Sequence, residues 1–130
     1  MSSTERLQRY LSDARDGCGD EAVAQRLAEL EALDADAGGP ALDEDVTVMS
    51  ALANETRYTL VRVLVAADGE LCVCELDALV DVSESGLSHA LSALVDAGLV
   101  DSRKDGRWKK YRATNRAIAL LTVLEGAVDE

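Results

Sequence analysis

The chain has 130 residues, 48% of them hydrophobic, which excludes a disordered chain and predicts one domain with a short appendage. Its 25 acidic and 13 basic residues give a net charge of −12, which taken alone argues against a nucleic-acid partner. Three cysteines argue against a disulfide framework, while a single histidine, and no recognisable acid–base pair or phosphate-binding glycine loop, argue against an enzyme.

No apolar run approaches the roughly 18 residues that a membrane span requires. The start of the chain, Met1–Arg6, does not lead into an apolar signal segment either. We therefore expect a soluble, cytoplasmic protein with reduced thiols.

Two amphipathic helices are predicted at the N-terminus, Thr4–Ala14 and Asp20–Leu33, because their apolar residues recur at helical spacing. Gly17–Gly19, with Cys18 between the two glycines, is interpreted as a hinge. Asp34–Asp45 contains the only proline and almost no periodicity, which is typical of a linker. The expected organisation is a helical extension and linker over residues 1–45 and a compact domain over residues 46–130.

Helices are predicted over the first half of the compact domain. Val46–Ala53 should turn Met49 and Leu52 inward, and a second helix should begin after Asn54 as N-cap and stop at Gly69. A brief helix then ends at Val80.

A further helix follows Ser83 as N-cap and stops at Gly98. Leucines at i, i+4 and i+7 should bury one of its faces, and the opposite face is small, polar and almost uncharged. The buried residues are Leu87, Leu91 and Leu94, and the polar ones are Ser85, Ser88, His89 and Ser92.

The C-terminal part predicts a β-hairpin and one last helix. Asp105-Gly106 stands between two extended segments and favours a two-residue turn in which both residues have positive φ. Asn115–Ala127 should form a helix too apolar to lie alone on a surface, with Ile118, Leu121, Val123 and Leu124 on it.

The basic residues are concentrated in this hairpin region. Residues 101–130 hold seven basic and five acidic residues, and all seven basic ones lie between Arg103 and Arg116. This basic stripe reverses the argument against nucleic acid, since Lys and Arg neutralise phosphates.

The overall composition bears on the habitat of the source. The abundance of carboxylates, with three lysines and no phenylalanine, suits a salt-rich cytoplasm and favours a halophilic source.

The order of elements predicts a mainly α fold with a β-hairpin wing, that is, a winged helix-turn-helix with an N-terminal helical extension. A helix with a polar outer face fits the major groove, and a basic hairpin can follow a neighbouring phosphate run. Each feature alone could be a solvated surface, but their adjacency favours double-stranded DNA. The candidate DNA-binding residues are Ser85, Ser88, His89 and Ser92 on the helix and Arg103, Lys104, Arg107 and Lys109 on the hairpin.

Several segments together resemble the ArsR/SmtB family. They are A-L-A-N-E-T-R at 51–57, E-L-C-V-C-E-L at 70–76, S-E-S-G-L-S-H-A-L at 83–91, A-G-L-V at 97–100, and D-G-R-W at 105–108 with Tyr111. The resemblance covers about residues 46–127. It implies a homodimeric repressor that leaves its operator when a metal or metalloid binds.

The resemblance also implies that Cys72 and Cys74 are the thiolate ligands, and thiolate is the form that binds soft ions. A third cysteine that some arsenic-sensing relatives use is replaced here by Asp77, so Cys18 is the remaining candidate ligand. Three thiolates suit arsenite or antimonite, whereas structural zinc prefers four ligands. His89 is assigned to the DNA face rather than to a metal. No cofactor is required beyond this inducer.

Other interpretations remain open at this point. Cys72 and Cys74 could be small buried residues, and Cys18 an idle surface thiol. The regulator could respond to thiol oxidation or to no metal. A third alternative is an acidic helical assembly module whose hairpin binds an acidic protein, but it leaves the polar face of the helix without a role. For the dimer, we expect the last helix and the N-terminal helices to form the interface.

Overall fold

The computed structural model describes residues 3–14, 19–38 and 41–126, and the chain divides into two compact units, Met1–Leu42 and Asp43–Glu130. None of the helices in these described ranges is long and apolar enough to span a membrane.

The first unit consists of two helices that contact each other, α1 (Ser3–Ala14) and α2 (Asp20–Gly38), with Leu11 and Val23 buried. Both predicted helices are present. The predicted start of the linker at Asp34 is wrong, since α2 continues to Gly38; alanine has the highest helix propensity and extends a helix without an apolar stripe. The predicted hinge at Cys18 lies outside the described residues.

Five helices lie within residues 41–126, and the first of them begins at the boundary residue Leu42: α3 (Leu42–Leu52), α4 (Glu55–Ala67), α5 (Val73–Asp77), α6 (Glu84–Asp96) and α7 (Asn115–Leu124). Helix α3 begins four residues before the predicted Val46, and three carboxylates in its first turn suit the positive end of the helix dipole. The inward orientation predicted for Met49 is wrong, because that side chain is 61% exposed and Val48 and Ala51 are buried instead.

Local capping explains where the other helices begin. The side chains of Asn54 and Ser83 accept hydrogen bonds from the N–H groups of Arg57 and Gly86, as the sequence predicts for these N-caps. Helix α4 stops one residue before the predicted Gly69, at Asp68, which adopts the left-handed conformation with φ of 52°.

Three antiparallel strands form the wing sheet: β1 (Leu71–Cys72), β2 (Val100–Asp105) and β3 (Trp108–Ala113), in the order β1-β3-β2. The hairpin is confirmed, but its turn is one residue later than predicted. Asp105 pairs with Trp108, so the turn residues are Gly106 and Arg107, and of these only Gly106 has a positive φ. A turn with glycine first requires positive φ at that position alone.

The core of the second unit lies between the helices and the inner side of the sheet. Leu87, Leu91 and Leu94 of α6 are buried as predicted, together with Leu121 of α7. Three other apolar residues of α7 are exposed, namely Ile118, Val123 and Leu124, whereas Ala117 is buried and Leu120 is partly buried. The predicted fold class, mainly α with a β-hairpin wing, is confirmed.

The N-cap of α4 generates a stability prediction. Replacing Asn54 with Ala removes the acceptor for the Arg57 N–H, and we expect a loss of about 1 kcal/mol in unfolding free energy. Asn54→Asp keeps the acceptor and should stay near the wild-type value. Urea denaturation of the three chains measures the difference, and equal midpoints for wild type and Asn54→Ala would contradict the capping role.

Candidate DNA-binding surface and thiol pair

The polar face of α6 is exposed to solvent. Ser85, Ser88, His89 and Ser92 are all exposed, and they share one face because they are spaced at i, i+3, i+4 and i+7. The leucines on the opposite face are buried, which fixes the rotation of the helix about its axis. The structure therefore brings together the four predicted residues of the helix on one outward surface.

The four predicted basic residues of the hairpin are also exposed, but their surroundings differ. The guanidinium of Arg107 lies 5.3 Å from the ring centroid of Trp108, and the ammonium of Lys109 lies 5.9 Å from that of Tyr111. These cation–π contacts hold the charged groups close to the hairpin while they remain accessible to solvent.

Arg103 differs from the others, because it forms a two-pronged ion pair. Its Nε and one terminal nitrogen donate to the two carboxylate oxygens of Glu70 at 2.8 and 2.7 Å. Hydrogen bonds from Arg103 lower the pKa of Glu70, although burial opposes the change, and the same pair raises the pKa of Arg103. Sequence analysis missed Glu70, whose partner lies 33 residues away with no local signal.

The ion pair has a defined pH dependence. Because the folded-state pKa of Glu70 is depressed, its contribution to stability is present above the ordinary carboxyl pKa. That contribution is lost as the pH falls through the lowered pKa. Around neutral pH the pair therefore ties β2 to the residue that precedes β1.

The two thiols lie side by side at the junction of β1 and α5. The Sγ atoms of Cys72 and Cys74 are 3.0 Å apart, Cys72 is half-buried and Cys74 is exposed. The backbone N–H of Cys72 donates to Glu75 Oε1 at 2.7 Å, which fixes the start of α5.

The contact between the two thiols shifts their pKa values in opposite directions. The Cys74 thiol donates to Cys72 and thereby lowers the pKa of Cys72, with help from the Cys74 backbone N–H. The same hydrogen bond raises the pKa of Cys74, and burial and the charge of Glu75 act in the same direction. Cys72 is therefore the thiol that ionises first, and it is the stronger candidate for initial attack on a soft ion.

The two thiols suit a soft ion, but they provide only two ligands. Two thiolates bound to one tetrahedral ion at about 2.3 Å would lie roughly 3.8 Å apart, so the pair would open by less than 1 Å. Among residues 3–14, 19–38 and 41–126, no group of three or more His, Cys, Asp or Glu side chains could hold a metal ion. Cys18, the predicted third ligand, lies outside these ranges.

A cleft of about 470 Å³ opens beside Cys74, between α5, α6 and β3. Sequence analysis did not find it, because the residues that line it come from three separated segments. Its walls include Ser88 of α6 and Trp108 and Lys109 of β3. The cleft thus adjoins the thiol pair on one side and the candidate DNA-binding residues on the other.

Comparison with known proteins agrees with this arrangement. A protein-family model described as "Bacterial regulatory protein, arsR family" matches residues 54–102. A Halobacterium salinarum protein named "Putative arsenical resistance operon repressor ArsR" is 66% identical over 127 residues, which are 98% of each chain. The chain belongs to the arsR family. Members of this family are transcriptional regulators with a helix-turn-helix domain and are not enzymes.

The chain is also similar to a cadmium-resistance regulator and to a solved structure. The cadmium resistance transcriptional regulatory protein CadC of Listeria innocua is 40% identical over 78 residues, 60% of this chain and 63% of CadC. The solved structure of HlyU from Vibrio cholerae superposes with a TM-score of 0.61 at 29% identity, covering 71% of this chain and 99% of HlyU. The acidic composition agrees with a relative from a halophile.

The thiol contact generates a prediction about reactivity. At a pH below the ordinary thiol pKa of about 8.5, iodoacetamide should modify Cys72 before Cys74, since Cys72 holds more thiolate. Cys74→Ala removes the donor and should slow modification of Cys72, whereas Cys74→Ser keeps a hydroxyl donor and should slow it less. Peptide mass spectrometry resolves the two sites. Faster modification of Cys74 than of Cys72 would contradict the assigned direction of the hydrogen bond.

Proposed function

We propose that this arsR-family regulator is a homodimeric repressor that binds operator DNA and is released when arsenite, antimonite or another soft ion binds its thiols. Cys72 and Cys74 would supply the first two thiolates, and Cys18 the third. The observation that supports the proposal most directly is the position of the thiol pair. Cys72 lies on β1, a strand of the same sheet that carries the basic hairpin, and Cys74 follows it in the first turn of α5.

The DNA-binding part of the proposal rests on α6 and the hairpin. Ser85, Ser88, His89 and Ser92 would face base edges in the major groove, because they are the exposed polar groups of a helix whose other face is buried. Serine bonds to several bases, so its discrimination is weak. Lys104, Arg107 and Lys109 would contact phosphates on the adjoining run of backbone.

To bind a phosphate, Arg103 would have to give up its ion pair with Glu70. Glu70 holds its guanidinium through two hydrogen bonds, although the side chain remains 54% exposed. A phosphate could replace Glu70 because it offers the same pair of acceptor oxygens. We therefore place Arg103 at the edge of the DNA contact, where its contribution is the difference between these two ion pairs.

The inducer part of the proposal rests on strand pairing. Leu71 pairs with Tyr111 and Cys72 pairs with Lys110, so β1 is hydrogen-bonded to the strand that follows the hairpin turn. Opening the thiol pair around an ion would shift the start of α5 and, through β1, the hairpin. Release of DNA then follows from a change of wing position, without any contact between the ion and DNA.

The identity of the inducer is supported by chemistry and by two relatives. Soft ions select thiolate ligands, and the relatives are named for arsenical and cadmium resistance. Three thiolates suit pyramidal arsenite. We therefore propose arsenite or antimonite first, and another soft ion second.

The dimer part of the proposal rests on three exposed apolar residues of α7. Ile118, Val123 and Leu124 are 40%, 65% and 60% exposed, and removing this apolar surface from water would favour association. A second copy of α7, with the N-terminal helices, would cover them. Two copies of α6 related by a two-fold axis would then reach half-sites about one helical turn apart.

The oligomeric state is directly measurable. Sedimentation should show a dimer at micromolar concentration, and Leu124→Glu should shift it toward monomer by placing a charge in the proposed interface. Leu79→Glu, which changes an exposed apolar residue outside α7 and the N-terminal helices, is the control and should leave the dimer intact. A wild-type chain that sediments as a monomer would overturn the dimer.

The hairpin generates a prediction about salt dependence. Lys104→Ala should weaken binding to all DNA sequences and reduce the slope of log affinity against log salt by about 0.9 for each phosphate that the hairpin no longer neutralises. Arg26→Ala, in the extension and paired with Glu29, is the matched control and should leave the slope unchanged. Unchanged affinity for Lys104→Ala together with Arg107→Ala would show that the hairpin does not contact DNA.

The helix should behave differently from the hairpin. His89→Ala or Ser88→Ala should alter the preference between operators by roughly 1–3 kcal/mol per base pair affected.

The thiol pair generates a prediction about induction. Cys72→Ser and Cys74→Ser should each abolish release by arsenite and leave operator affinity intact, since neither residue lies on the DNA-binding surface. The measurement is a gel shift under reducing conditions, with and without arsenite.

Cys18→Ser separates two versions of the site. Loss of response would show that the extension supplies the third thiolate, and a preserved response would mean that water, an exogenous thiol or a two-coordinate ion completes the site. Release of DNA from the double variant Cys72→Ser, Cys74→Ser on addition of arsenite would refute the thiolate mechanism.

A further inference from the structure

We propose that Glu70 and Asp105 are internal counterions of the wing, which DNA phosphates must displace, and that they set the strength and the salt dependence of DNA binding. This inference rests on the proposed function, because it requires the hairpin to contact DNA. To the basic residues that bind DNA it adds two acidic residues that oppose binding. Removal of either carboxylate should therefore make the protein bind DNA more tightly.

The two faces of the β-hairpin differ in the partners of their cations. Side chains alternate along a strand, and the strand pairing places Arg103 opposite Lys110 and Lys104 opposite Lys109. Arg103, Asp105 and Lys110 therefore share one face, called here the compensated face. Lys104 and Lys109 share the other face, and within the described part of the chain neither of them forms an ion pair with a carboxylate.

Carboxylates contact both cations of the compensated face. Glu70 accepts two hydrogen bonds from the Arg103 guanidinium, at 2.8 and 2.7 Å. Glu70 precedes β1 at one edge of the sheet and Arg103 lies on β2 at the other edge, so the pair spans β3. Asp105 Oδ2 lies 3.1 Å from the Lys110 ammonium and 3.9 Å from an Arg103 nitrogen. Both cations therefore have a carboxylate partner in the absence of DNA.

A phosphate can take the place of Glu70, because it also offers two oxygens to the paired N–H groups of a guanidinium. The Arg103 side chain is 54% exposed and the Lys110 side chain 32%, so both cations are accessible without unfolding of the hairpin. A phosphate bound at Arg103 replaces the two hydrogen bonds to Glu70, and the freed carboxylate then lies close to the duplex and repels it. The net gain in binding is therefore smaller for Arg103 than for Lys104.

Internal counterions should also reduce the dependence of binding on salt. A cation that neutralises a phosphate makes log affinity fall against log salt with a slope of about −0.9, because it releases counterions from the DNA. When Arg103 leaves Glu70, the freed carboxylate attracts a cation from solution. Salt also weakens the exposed ion pair that must be broken. Both effects oppose the release of counterions, so the slope for Arg103 should be shallower than the slope for Lys104.

The test measures binding of the full-length chain to two DNA duplexes of about 30 base pairs, long enough for half-sites one helical turn apart. The wild-type chain selects one duplex from a random library, and the other is an unselected duplex of the same base composition. Contacts to phosphates do not depend on sequence, so both duplexes should respond. Fluorescence anisotropy gives the affinities between about 50 and 200 mM KCl, under reducing conditions.

Glu70→Gln should raise both affinities about two- to fivefold at the lowest salt concentration, because it removes one exposed ion pair. The gain should shrink as the salt concentration rises, which makes the slope steeper than in wild type. Asp105→Asn should give a smaller gain, since Asp105 makes a single close contact with Lys110. A purely structural role, in which Glu70 only holds the wing in place, predicts the opposite sign for Glu70→Gln, a loss of affinity.

The chain offers a matched control pair away from the wing. Arg116 of α7 lies 3.1 Å from Glu44 of α3, and both side chains are exposed. Glu44→Gln changes the net charge by the same amount as Glu70→Gln and also frees an arginine, but neither residue of this pair belongs to the proposed DNA-binding surface. It should leave both affinities close to the wild-type values. The double variant Glu70→Gln, Arg103→Ala should lose the gain, because the cation that Glu70 occupies is then absent.

Failure of the counterion proposal is distinguishable from failure of the proposed function. If the wild-type chain binds DNA and Glu70→Gln does not raise the affinity more than Glu44→Gln does, the counterion proposal is wrong and DNA binding stands. The same holds if the gain persists after Arg103→Ala. If neither the wild-type chain nor Glu70→Gln binds either duplex at the lowest salt concentration, the proposed function fails together with the counterion proposal.

Discussion

The pairing of β1 with β3 is the constraint on which the functional arrangement depends. Strand β1 has only two residues, yet it pairs with Tyr111 and Lys110 of β3. This pairing joins the segment that contains the thiols to the hairpin. The bidentate contact of Glu70 with Arg103 reinforces the same junction from the other edge of the hairpin. In the proposed mechanism, a change in the start of α5 would therefore reach the hairpin through one layer of hydrogen bonds.

Because the protein is strongly acidic, the basic hairpin is the part of its surface best suited to bind DNA. With a net charge of −12, most of the surface repels a duplex, so contact with DNA depends on the few cations that are free to approach phosphates. Lys110 is 3.1 Å from Asp105 and Arg103 is held by Glu70, so these two charges are partly compensated within the protein. Lys104, Arg107 and Lys109 carry the greater share of the proposed attraction.

The sequence predicted the features that depend on local patterns. Helix starts at Asn54 and Ser83, the buried leucines of α6 and the hairpin all follow from capping, periodicity and turn residues. The contribution of β1 could not be predicted, because a two-residue strand obtains its hydrogen bonds from a strand almost 40 residues later in the chain. The Glu70–Arg103 pair and the cleft arise from the same long-range approach. The one-residue error in the turn reflects pairing of Asp105 with Trp108, which tertiary packing decides.

The central claim is that inducer binding at the thiols and operator binding at the helix and wing are thermodynamically coupled. The most direct test measures operator affinity with and without arsenite, and arsenite affinity with and without operator, under reducing conditions. The account predicts that both affinities fall by the same factor, roughly 5- to 150-fold, because coupling between two binding sites is reciprocal. Arsenite that binds Cys72 and Cys74 tightly while operator affinity stays the same would contradict it.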